Sequence, residues 1–472
     1  MRPSCVSSLV NDIHSALNPT HVAAVYQPRS LLDICACIRE AARQGLALSV
    51  CGGRHAMGGQ QFASGDVLLD MGQMRRVLAF DAAAGLIEVE AGIQWPELID
   101  YLETAPAPQG RRWAIRQKQT GADRLSLGGC LAANIHGRGL RMRPFIDDVE
   151  AFTLVDANGE VLQCSRARNR ELFALAIGGY GLFGVVASLT LRLAPRQAMR
   201  RDVTLLQLDE LMPAFAERIA AGHVFGDFQF AIDPASPDFL DRGVFSCYVP
   251  VDDLTPEAGR ELSGQDWRDL LHLAHTDKSR AFACYARHYL ATDGQTYWND
   301  RLQQSVYLDG YHHEIDRALH HCGSEVIGEL YVPRTRLVDF MRAAASDFRL
   351  HGVDLIYGTI RLIERDTESF LPWARQDYAC VIFNLHTPHT AEGIAATERS
   401  FRRLIDLAIA REGSFYLTYS RAASADQVRA CHPRLARFFE AKRRYDPQQR
   451  FQSDWYRHYR ALLEGAPADL AA

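Results

Sequence analysis

The chain has 472 residues, of which 47% are hydrophobic and 23% are charged, and its formal net charge is −5. This length exceeds the roughly 250–300 residues at which a single hydrophobic core stops growing, so we expect two domains. The small negative charge produces no one-signed basic surface, which argues against nucleic acid as a partner.

The sequence shows no sign of a membrane span or an export signal. No stretch approaches the roughly 20 apolar residues needed to cross a bilayer, and the first residues lack a sustained apolar core. The 11 cysteines are odd in number, and none form a Cys-x-x-Cys pair. These features favour free thiols in a reducing compartment, so we expect a cytoplasmic protein.

The first part of the chain is arranged around a glycine-rich loop with one histidine in its middle. A helix is predicted over 30–44, with Ser30 as its N-cap and Gly45 closing it. A short strand over 47–51 then enters the loop at 52–60, Gly-Gly-Arg-His-Ala-Met-Gly-Gly-Gln. The patterns that follow predict strands over 67–71, 76–80 and 85–92 and a helix over 95–102.

A second glycine-rich stretch runs over 120–139. Its five glycines stand among small side chains, which indicates backbone held close to a ligand rather than a packed helix. After it the sequence predicts a hairpin over 146–164 with an Asn158-Gly159 turn, a helix over 171–177 and a strand over 185–193.

The character of the sequence changes near residue 196. From there to about 420 the glycine-rich loops disappear, and strands alternate with long helical patterns, which indicates an antiparallel sheet covered by helices. We therefore predict an α+β protein with a first domain over 1–195, a second over 196–425 and a segment over 426–472 that returns to the first. The strands predicted in the second domain are 228–232, 244–251, 328–332, 356–363, 378–385 and 414–419.

Two further motifs are interpreted as structural. Residues 179–184 match G-x-G-x-x-G, but a dinucleotide fingerprint needs a strand before it and a helix after it, and the order here is reversed. The pairs His312-His313 and His320-His321 lack a carboxylate or cysteine that completes a recognisable ligand set. They are interpreted as a solvated helical face, and no metal is expected.

The loop at 52–60 and the stretch Ser-Leu-Gly-Gly-Cys-Leu-Ala-Ala-Asn-Ile-His-Gly at 126–137 resemble the FAD-linked oxidases of the vanillyl-alcohol oxidase and p-cresol methylhydroxylase superfamily. Residues 149–161, 178–186 and 446–454 are similar to it as well, in the same order. Among its members the likeness is to alditol oxidases, decaprenylphosphoryl-ribose oxidases and cytokinin dehydrogenases. The resemblance implies a PCMH-type flavin domain of two α/β subdomains and a cap domain.

The resemblance also implies bound FAD, linked through its 8α-methyl carbon to His55. Glycine-rich turns present backbone N–H groups to an anion, so the diphosphate candidates are Gly52, Gly53, Arg54, Gly58 and Gly59. The candidates along the isoalloxazine and ribityl side are Ser126, Gly128, Gly129, Asn134, His136 and Gly137. Three more residues complete the cofactor-binding set: Ala56, Gln60 and Val186. Ala122 stands where doubly linked members have a cysteine, so we expect a single attachment.

The substrate side is expected on strands of the second domain. Arg361 matches the arginine of a Glu-x-Arg pair that faces the flavin in alditol and aldonolactone oxidases, with Thr359 in place of the glutamate. Arg361 either stabilises charge on the reduced flavin or serves as a structural ion-pair partner. Tyr419 stands where the ribose oxidases have a lysine and is a candidate for binding the substrate hydroxyl.

Asn384 and His386 alternate along one strand, so both are candidates for the substrate side. His386 either acts as a general base or caps a loop before Thr387 and Pro388. The aspartate base of cytokinin dehydrogenases aligns with Gly121, and Asp123 is out of register, which disfavours that activity.

These observations predict an FAD-dependent oxidase that acts on CH–OH donors, with a polyol, sugar or aldonolactone as substrate and O2 as electron acceptor. The alternatives are a dehydrogenase that uses a quinone or protein acceptor, an enzyme that oxidises a C–N bond, and a flavoprotein-like scaffold without catalysis.

Overall fold

Three main β-sheets and the helices around them form the fold in this computed structural model, which describes residues 8–107, 110–252, 254–257, 259–306 and 308–465. The two sheets of the N-terminal region are small, and the third has eight strands. The predicted α+β class is confirmed.

The first sheet is parallel and has the strand order β3-β5-β4. The helix α1 connects β3 to β4, and Ser30 caps it by accepting a hydrogen bond from the backbone N–H of Asp33, as predicted. The apolar side of α1 is buried on this sheet, and β4 leads directly into the glycine-rich loop. The bounds in this region are β1 Ser8–Val10, β2 Thr20–Val22, β3 Ala24–Tyr26, α1 Leu31–Arg43, β4 Leu48–Cys51 and β5 Val67–Asp70.

The second sheet is antiparallel and has the order β10-β9-β11-β7-β6. The bounds here are β6 Val77–Asp81, β7 Leu86–Glu90, α2 Trp95–Thr104, β8 Trp113–Ala114, α3 Leu127–Ala133, β9 Val149–Val155, β10 Val161–Ser165, α4 Arg170–Ala176, β11 Val185–Arg192 and β12 Ala194–Pro195. The predicted helices, strands and hairpin are present, and residues 179–184 connect a helix to a strand, as the rejection of a dinucleotide fingerprint requires.

The expectation that 120–139 contains no packed helix is wrong. The helix α3 lies inside this stretch, with the side chain of Ser126 accepting a hydrogen bond from the backbone N–H of Gly129. Gly128 in its first turn lies against the residue that follows β7, because a Cβ there would lie 2.8 Å from the Cβ of Ala91. Close packing of backbone, rather than ligand contact alone, accounts for this glycine.

The third sheet is antiparallel throughout, with the order β16-β13-β15-β14-β18-β19-β17-β20. All its strands come from residues 198–415, and helices pack on it. The bounds are β13 Ala198–Gln207, α5 Leu208–Ala220, β14 Phe225–Phe230, β15 Arg242–Val251, α6 Gly264–Thr276, α7 Lys278–Leu290, β16 Thr296–Trp298, α8 Tyr311–Leu319, β17 Gly323–Pro333, α9 Leu337–His351, β18 Leu355–Ile363, β19 Tyr378–Pro388, α10 Ala391–Ile409 and β20 Ser414–Phe415.

The predicted strand over 414–419 is too long, because β20 ends at Phe415. The next residues leave the sheet and meet the N-terminal region: the carbonyl of Thr418 accepts a hydrogen bond from the backbone N–H of Gly58. The indole of Trp455 donates to the carbonyl of Leu417. These contacts draw the chain out of the sheet plane.

The C-terminal segment contains α11 Ala425–Cys431, α12 Leu435–Tyr445 and α13 Asp454–Glu464. The carboxylate of Asp446 shapes its turn, since it pairs with the buried Lys442 at 2.7 Å and accepts from the backbone N–H groups of Arg450 and Phe451. The turn places Phe451 beside Leu48 of β4, so this segment contacts the parallel sheet. The domain boundaries at 195/196 and 425/426 stay a prediction.

Short 3₁₀ turns complete the secondary structure at Met71–Gln73, Phe145–Asp147, Arg301–Gln303 and Arg334–Arg336. Within the described ranges, every helix is too short or too polar to cross a bilayer.

Candidate functional site

A cavity of about 370 Å³ lies where the glycine-rich loop, α3 and the 179–184 turn face the eight-stranded sheet. This volume is within the range of small-molecule and cofactor pockets. One wall consists of residues from the N-terminal region, and the opposite wall carries side chains of β17, β18 and β19 together with residues 416–419.

The first wall depends on close backbone packing at two glycines. A Cβ on Gly52 would lie 1.9 Å from Oγ and 2.7 Å from Cβ of Ser126, and a Cβ on Gly53 would lie 2.4 Å from the carbonyl oxygen of Arg124. Only glycine permits this approach, because any side chain would overlap with fixed atoms. The packing aligns the loop and the start of α3 along one side of the cavity.

His55 follows these glycines and lines the cavity, and both of its ring nitrogens are buried without a hydrogen-bond partner. Burial lowers the pKa of His55 to about 4, with a further contribution from the neighbouring His14. The ring is therefore neutral near pH 7 and offers an unprotonated nitrogen.

The opposite wall presents Arg361 of β18, whose residue is 2% exposed. Its Nε and Nη1 atoms have no hydrogen-bond partner among the described residues. None of the cavity-lining residues in the part of the chain that the structure describes is an aspartate or glutamate. The guanidinium charge therefore has no acidic partner in this wall, and the alternative of a structural ion pair finds no support.

Tyr419 and Asn384 lie in the same wall. The phenol oxygen of Tyr419 accepts a hydrogen bond from Nε2 of Gln119 at 3.1 Å, and burial raises the pKa of this phenol well above its usual value. The Oδ1 atom of Asn384 is buried without a partner. A phenol that keeps its proton and an amide with a free acceptor both suit binding of a hydroxyl group.

Unpartnered polar atoms are concentrated around this cavity. A buried polar atom without a hydrogen bond costs about 1–3 kcal/mol, and native proteins contain few of them. Their concentration indicates that a polar ligand belongs in the cavity. Eight lining residues carry such atoms: His14, His55, Gln60, Gln61, Gln119, Thr120, Arg361 and Asn384.

The structure brings most of the predicted site residues to this one cavity. Those that line it are Gly52, Gly53, Arg54, His55, Ala56, Gln60, Ser126, Gly128, Gly129, Val186, Arg361, Asn384 and Tyr419. Those that are not in its lining are Gly58, Gly59, Asn134, His136, Gly137 and His386.

Gly58 and Gly59 pack against protein rather than line the cavity. The backbone N–H of Gly58 donates to the carbonyl of Thr418, and a Cβ on Gly59 would lie 2.9 Å from Oδ1 of Asn18. Arg54 does line the cavity, but its guanidinium pairs with Asp70 at 2.7 Å. Its backbone, and not its charge, is therefore what the loop offers to a ligand.

Asn134 and His136 connect the N-terminal region to the eight-stranded sheet. Asn134 adopts φ 50° at the end of α3 and donates to the carboxylate of Asp366. Nε2 of His136 lies 2.5 Å from Oε1 of Glu329. Nδ1 of the same ring donates to the carbonyl of Gly137. We withdraw these residues, and Gly137 with them, from the cofactor-binding set, because their polar groups are used within the protein.

His386 lies within β19, where it is paired with Glu325 of β17. The alternative that it caps a loop is therefore wrong. His386 is not in the cavity lining either: its ring faces Glu325 of β17 and the rings of His275 and His321. We therefore do not assign His386 a role as general base.

Three of the residues in the pairs His312-His313 and His320-His321 are exposed, as the interpretation of a solvated face expects: His313, His320 and His321. The interpretation is wrong for His312, which is half-buried with Nδ1 3.5 Å from Glu325. His321 also contacts a buried residue, with Nε2 2.8 Å from Nε2 of His386.

Several lining residues were not singled out from the sequence. Tyr357 could have been found, because it lies four residues before Arg361 on one strand and alternation places both on the same face. His14, Gln119 and Thr120 lie in irregular segments and carry no such signal.

Comparisons with known proteins agree with this geometry. Residues 22–165 match the family described as FAD binding domain. Over 192 residues the chain is 32% identical to an uncharacterized oxidoreductase, ORF5 of the fasciation locus of Rhodococcoides fascians, covering 38% of this chain and 39% of the relative. It is 30% identical over 171 residues to L-gulonolactone oxidase of Bos taurus, covering 36% of this chain and 37% of that protein. It is 29% identical over 198 residues to cytokinin dehydrogenase 4 of Oryza sativa subsp. japonica, covering 40% of this chain and 36% of that protein.

These matches span about two fifths of the length of each relative. The N-terminal region is an FAD-binding domain. This match and the flavoprotein relatives support the vanillyl-alcohol oxidase and p-cresol methylhydroxylase superfamily for the N-terminal region. The cavity fits this cofactor, because its glycine-built wall, the neutral His55 and the unpartnered Arg361 suit a large ligand with a diphosphate and a polar ring system.

We expect Gly52→Ala to lower the amount of FAD that purifies with the protein by at least about tenfold, since its Cβ would overlap Ser126 and displace the loop. The measurement is the ratio of flavin to protein absorbance. Gly264→Ala is the matched control, because a Cβ there meets only one atom, at 3.9 Å. Equal flavin content in the two variants, both folded by circular dichroism, would contradict this role of the loop.

Proposed function

We propose that this chain is an FAD-dependent oxidase that converts an alcohol carbon of a polyol, sugar or aldonolactone to a carbonyl, with O2 as the electron acceptor. The observation that carries the proposal is the buried guanidinium of Arg361, which lines the cavity with two unpartnered nitrogens and no carboxylate in the lining to neutralise it. Such a charge suits a site in which negative charge develops during the reaction.

Bound FAD would supply the hydride acceptor, with O2 as the proposed final electron acceptor. Arg361 stabilises the negative charge that hydride transfer brings into the site, because a fixed cation in a water-poor cavity acts strongly on nearby charge. Tyr419 and Asn384 bind the substrate hydroxyl and orient its carbon. Gln119 holds the phenol of Tyr419 in place through the hydrogen bond to its oxygen.

His55 anchors the cofactor in this proposal through a single covalent bond to the 8α-methyl carbon. Its support is the neutral, unpartnered ring beside the glycine-rich loop. A second attachment through cysteine is not proposed, since Ala122 lines the cavity at the position where doubly linked members have that cysteine.

Oxidation of a C–N bond is a weaker proposal, although cytokinin dehydrogenases are among the relatives. Asp123 is the acidic residue nearest to the expected base position, and its carboxylate is already used. It pairs with the buried Lys118 at 2.6 Å and accepts hydrogen bonds from the backbone N–H and hydroxyl of Ser305. Because its carboxylate already has these partners, we do not propose Asp123 as a base.

The proposal is tested by mixing the protein under anaerobic conditions with a panel of polyols, sugars, aldonolactones and adenine-type amines, and following the flavin absorbance. We expect bleaching by at least one alcohol and recovery with hydrogen peroxide when air is admitted. Recovery only with a quinone indicates a dehydrogenase. Reduction by an amine alone, or by none of the panel, overturns the proposal.

We expect His55→Ala to abolish acid-stable flavin, because the proposed bond to the 8α-methyl carbon is carried by the ring of His55. The measurement is the yellow colour and flavin fluorescence of the protein pellet after acid precipitation, with His313→Ala as the control on an exposed histidine. Acid-stable flavin in His55→Ala at the wild-type level contradicts the assignment.

We expect Arg361→Met to slow flavin reduction by the best substrate of the panel by about 10²–10³-fold, the loss typical of removing one charge-stabilising group. Flavin content should stay near the wild-type level. Stopped-flow reduction rates are compared with those of Arg342→Met, which removes an exposed arginine of α9. A similar rate in the two variants removes Arg361 from the reaction.

A further inference from the structure

A second group of buried side chains lies at the end of β17 and β19, next to the cavity but outside its lining. Glu325 and His386 are directly paired across these two strands. His275, from the last turn of α6, approaches from the helical side. The side chains of His275, Glu325 and His386 are 1%, 3% and 4% exposed.

The three side chains point their ligand atoms at one another. Oε1 of Glu325 lies 3.1 Å from Nε2 of His275 and 3.5 Å from Nδ1 of His386. All three ligand atoms lie within 4.8 Å of one another. Zinc bonds of about 2.0 Å in a tetrahedral site give ligand atoms about 3.3 Å apart, so the two short separations match that geometry.

Hydrogen bonds do not explain this arrangement. Both ring nitrogens of His275, and Nδ1 of His386, are buried without a hydrogen-bond partner. The separation of 3.1 Å between His275 and Glu325 therefore lacks the alignment that a ring N–H bond requires. Three ring nitrogens of two histidines are therefore buried without a partner beside a carboxylate, which is costly unless something else binds them.

The neighbouring hydrogen bonds favour one tautomer of a neutral His386. Nδ1 of His321 lies 3.1 Å from the carbonyl of Leu319, which can only accept, so that nitrogen carries a hydrogen. In neutral His321 the other nitrogen, Nε2, is then an acceptor, and it lies 2.8 Å from Nε2 of His386. Nε2 of His386 can donate to it, and in the neutral ring Nδ1 then carries a lone pair 3.5 Å from Oε1 of Glu325.

A lone pair and a carboxylate oxygen that face each other in a buried site need a positive centre between them. We propose that His275, Glu325 and His386 bind a divalent transition-metal ion of the zinc type. Imidazole nitrogens with one carboxylate and no thiolate are a ligand set that zinc accepts, and three protein ligands leave a fourth position for water.

Residues around the three proposed ligands form hydrogen bonds that hold two of them in position. The hydroxyl of Tyr311 donates to Oε2 of Glu325 at 2.7 Å, and His321 bonds the outer nitrogen of His386. Partners of this kind orient metal ligands and fix their protonation. His312 lies beside the set, with Nδ1 3.5 Å from Oε2 of Glu325.

The ion attaches α6 to the sheet. Ala274 is the one buried residue of this helix, which packs against β18 and α7. The bond to His275, the residue after Ala274, adds a link to β17 and β19. The site is independent of the proposed oxidase activity, because none of its three ligands is in the cavity lining.

A second cluster, His136, Glu329 and Cys380, does not suit a metal. Both ring nitrogens of His136 already have partners. Oε1 of Glu329 also accepts from the hydroxyl of Tyr331 and the thiol of Cys380. The contrast with His275, whose nitrogens have no partner, is what singles out the first cluster.

The test uses the untagged full-length protein with its flavin, freed of metal by a chelator and titrated with Zn²⁺ against a chromophoric chelator. We expect one zinc ion per chain. We also expect Co²⁺ to give the visible absorption bands of a tetrahedral nitrogen–oxygen site. His275→Ala and the nearly isosteric Glu325→Gln should each weaken zinc binding by at least about tenfold.

His272→Ala is the matched control, because it removes an exposed histidine from the same helix, one turn away. It should bind zinc as the wild type does. Circular dichroism and flavin absorbance confirm that each variant is folded. Absence of zinc binding by the wild type, or equal binding by the wild type, His275→Ala and Glu325→Gln, overturns the proposal whether or not the protein oxidises alcohols.

Discussion

The close approach of Gly52 and Gly53 to residues 124–126 is the contact on which the site depends. Because neither glycine has a side chain, the end of β4 can lie directly against the start of α3. This contact places His55 at the cavity and opens a smooth backbone wall on one side of it. The same loop then reaches the segment that follows β20 through the hydrogen bond between Gly58 and Thr418. One short loop therefore shapes the cofactor side of the cavity and joins it to the substrate side.

The two walls of the cavity divide the chemistry between them. The N-terminal wall offers backbone and a neutral imidazole, which suit an extended anionic cofactor. The sheet wall offers a cation, a phenol and an amide, which suit a small polar substrate and the charge that develops on it. Arg361 of the sheet wall is expected to face a ligand that contacts both walls. Burying a guanidinium without a partner is costly unless a ligand compensates its charge.

Much of the fold was predictable from sequence because its signals are local. The N-cap at Ser30, the alternation over 86–90 and the Asn158-Gly159 turn each determine an element by neighbouring residues alone. Errors arose where a distant segment decides the outcome. The strand that begins at Ser414 ends early because its continuation bonds to Gly58 and Trp455. The helix α3 has Gly128 in its first turn because Ala91 lies against it.

Prediction of the site was limited in the same way, by contacts between segments that are distant in the chain. The loop at 52–60 shows where a cofactor lies, but glycine content cannot tell backbone that faces a ligand from backbone that faces protein, as Gly58 and Gly59 demonstrate. Asn134 and His136 were assigned to the cofactor because their partners, Asp366 and Glu329, lie about 200 residues away in the chain. The group formed by His275, Glu325 and His386 could not be predicted from the sequence either, because its three members come from separate elements.

The central claim is that FAD lies in the cavity with its ring system between His55 and Arg361. A crystal structure of the protein purified with its flavin tests this most directly. We expect electron density for the diphosphate along residues 52–56, continuous density from the ring to His55, and the guanidinium of Arg361 in contact with the ring or with bound substrate. Flavin density elsewhere, or a ring turned away from Arg361, would contradict it.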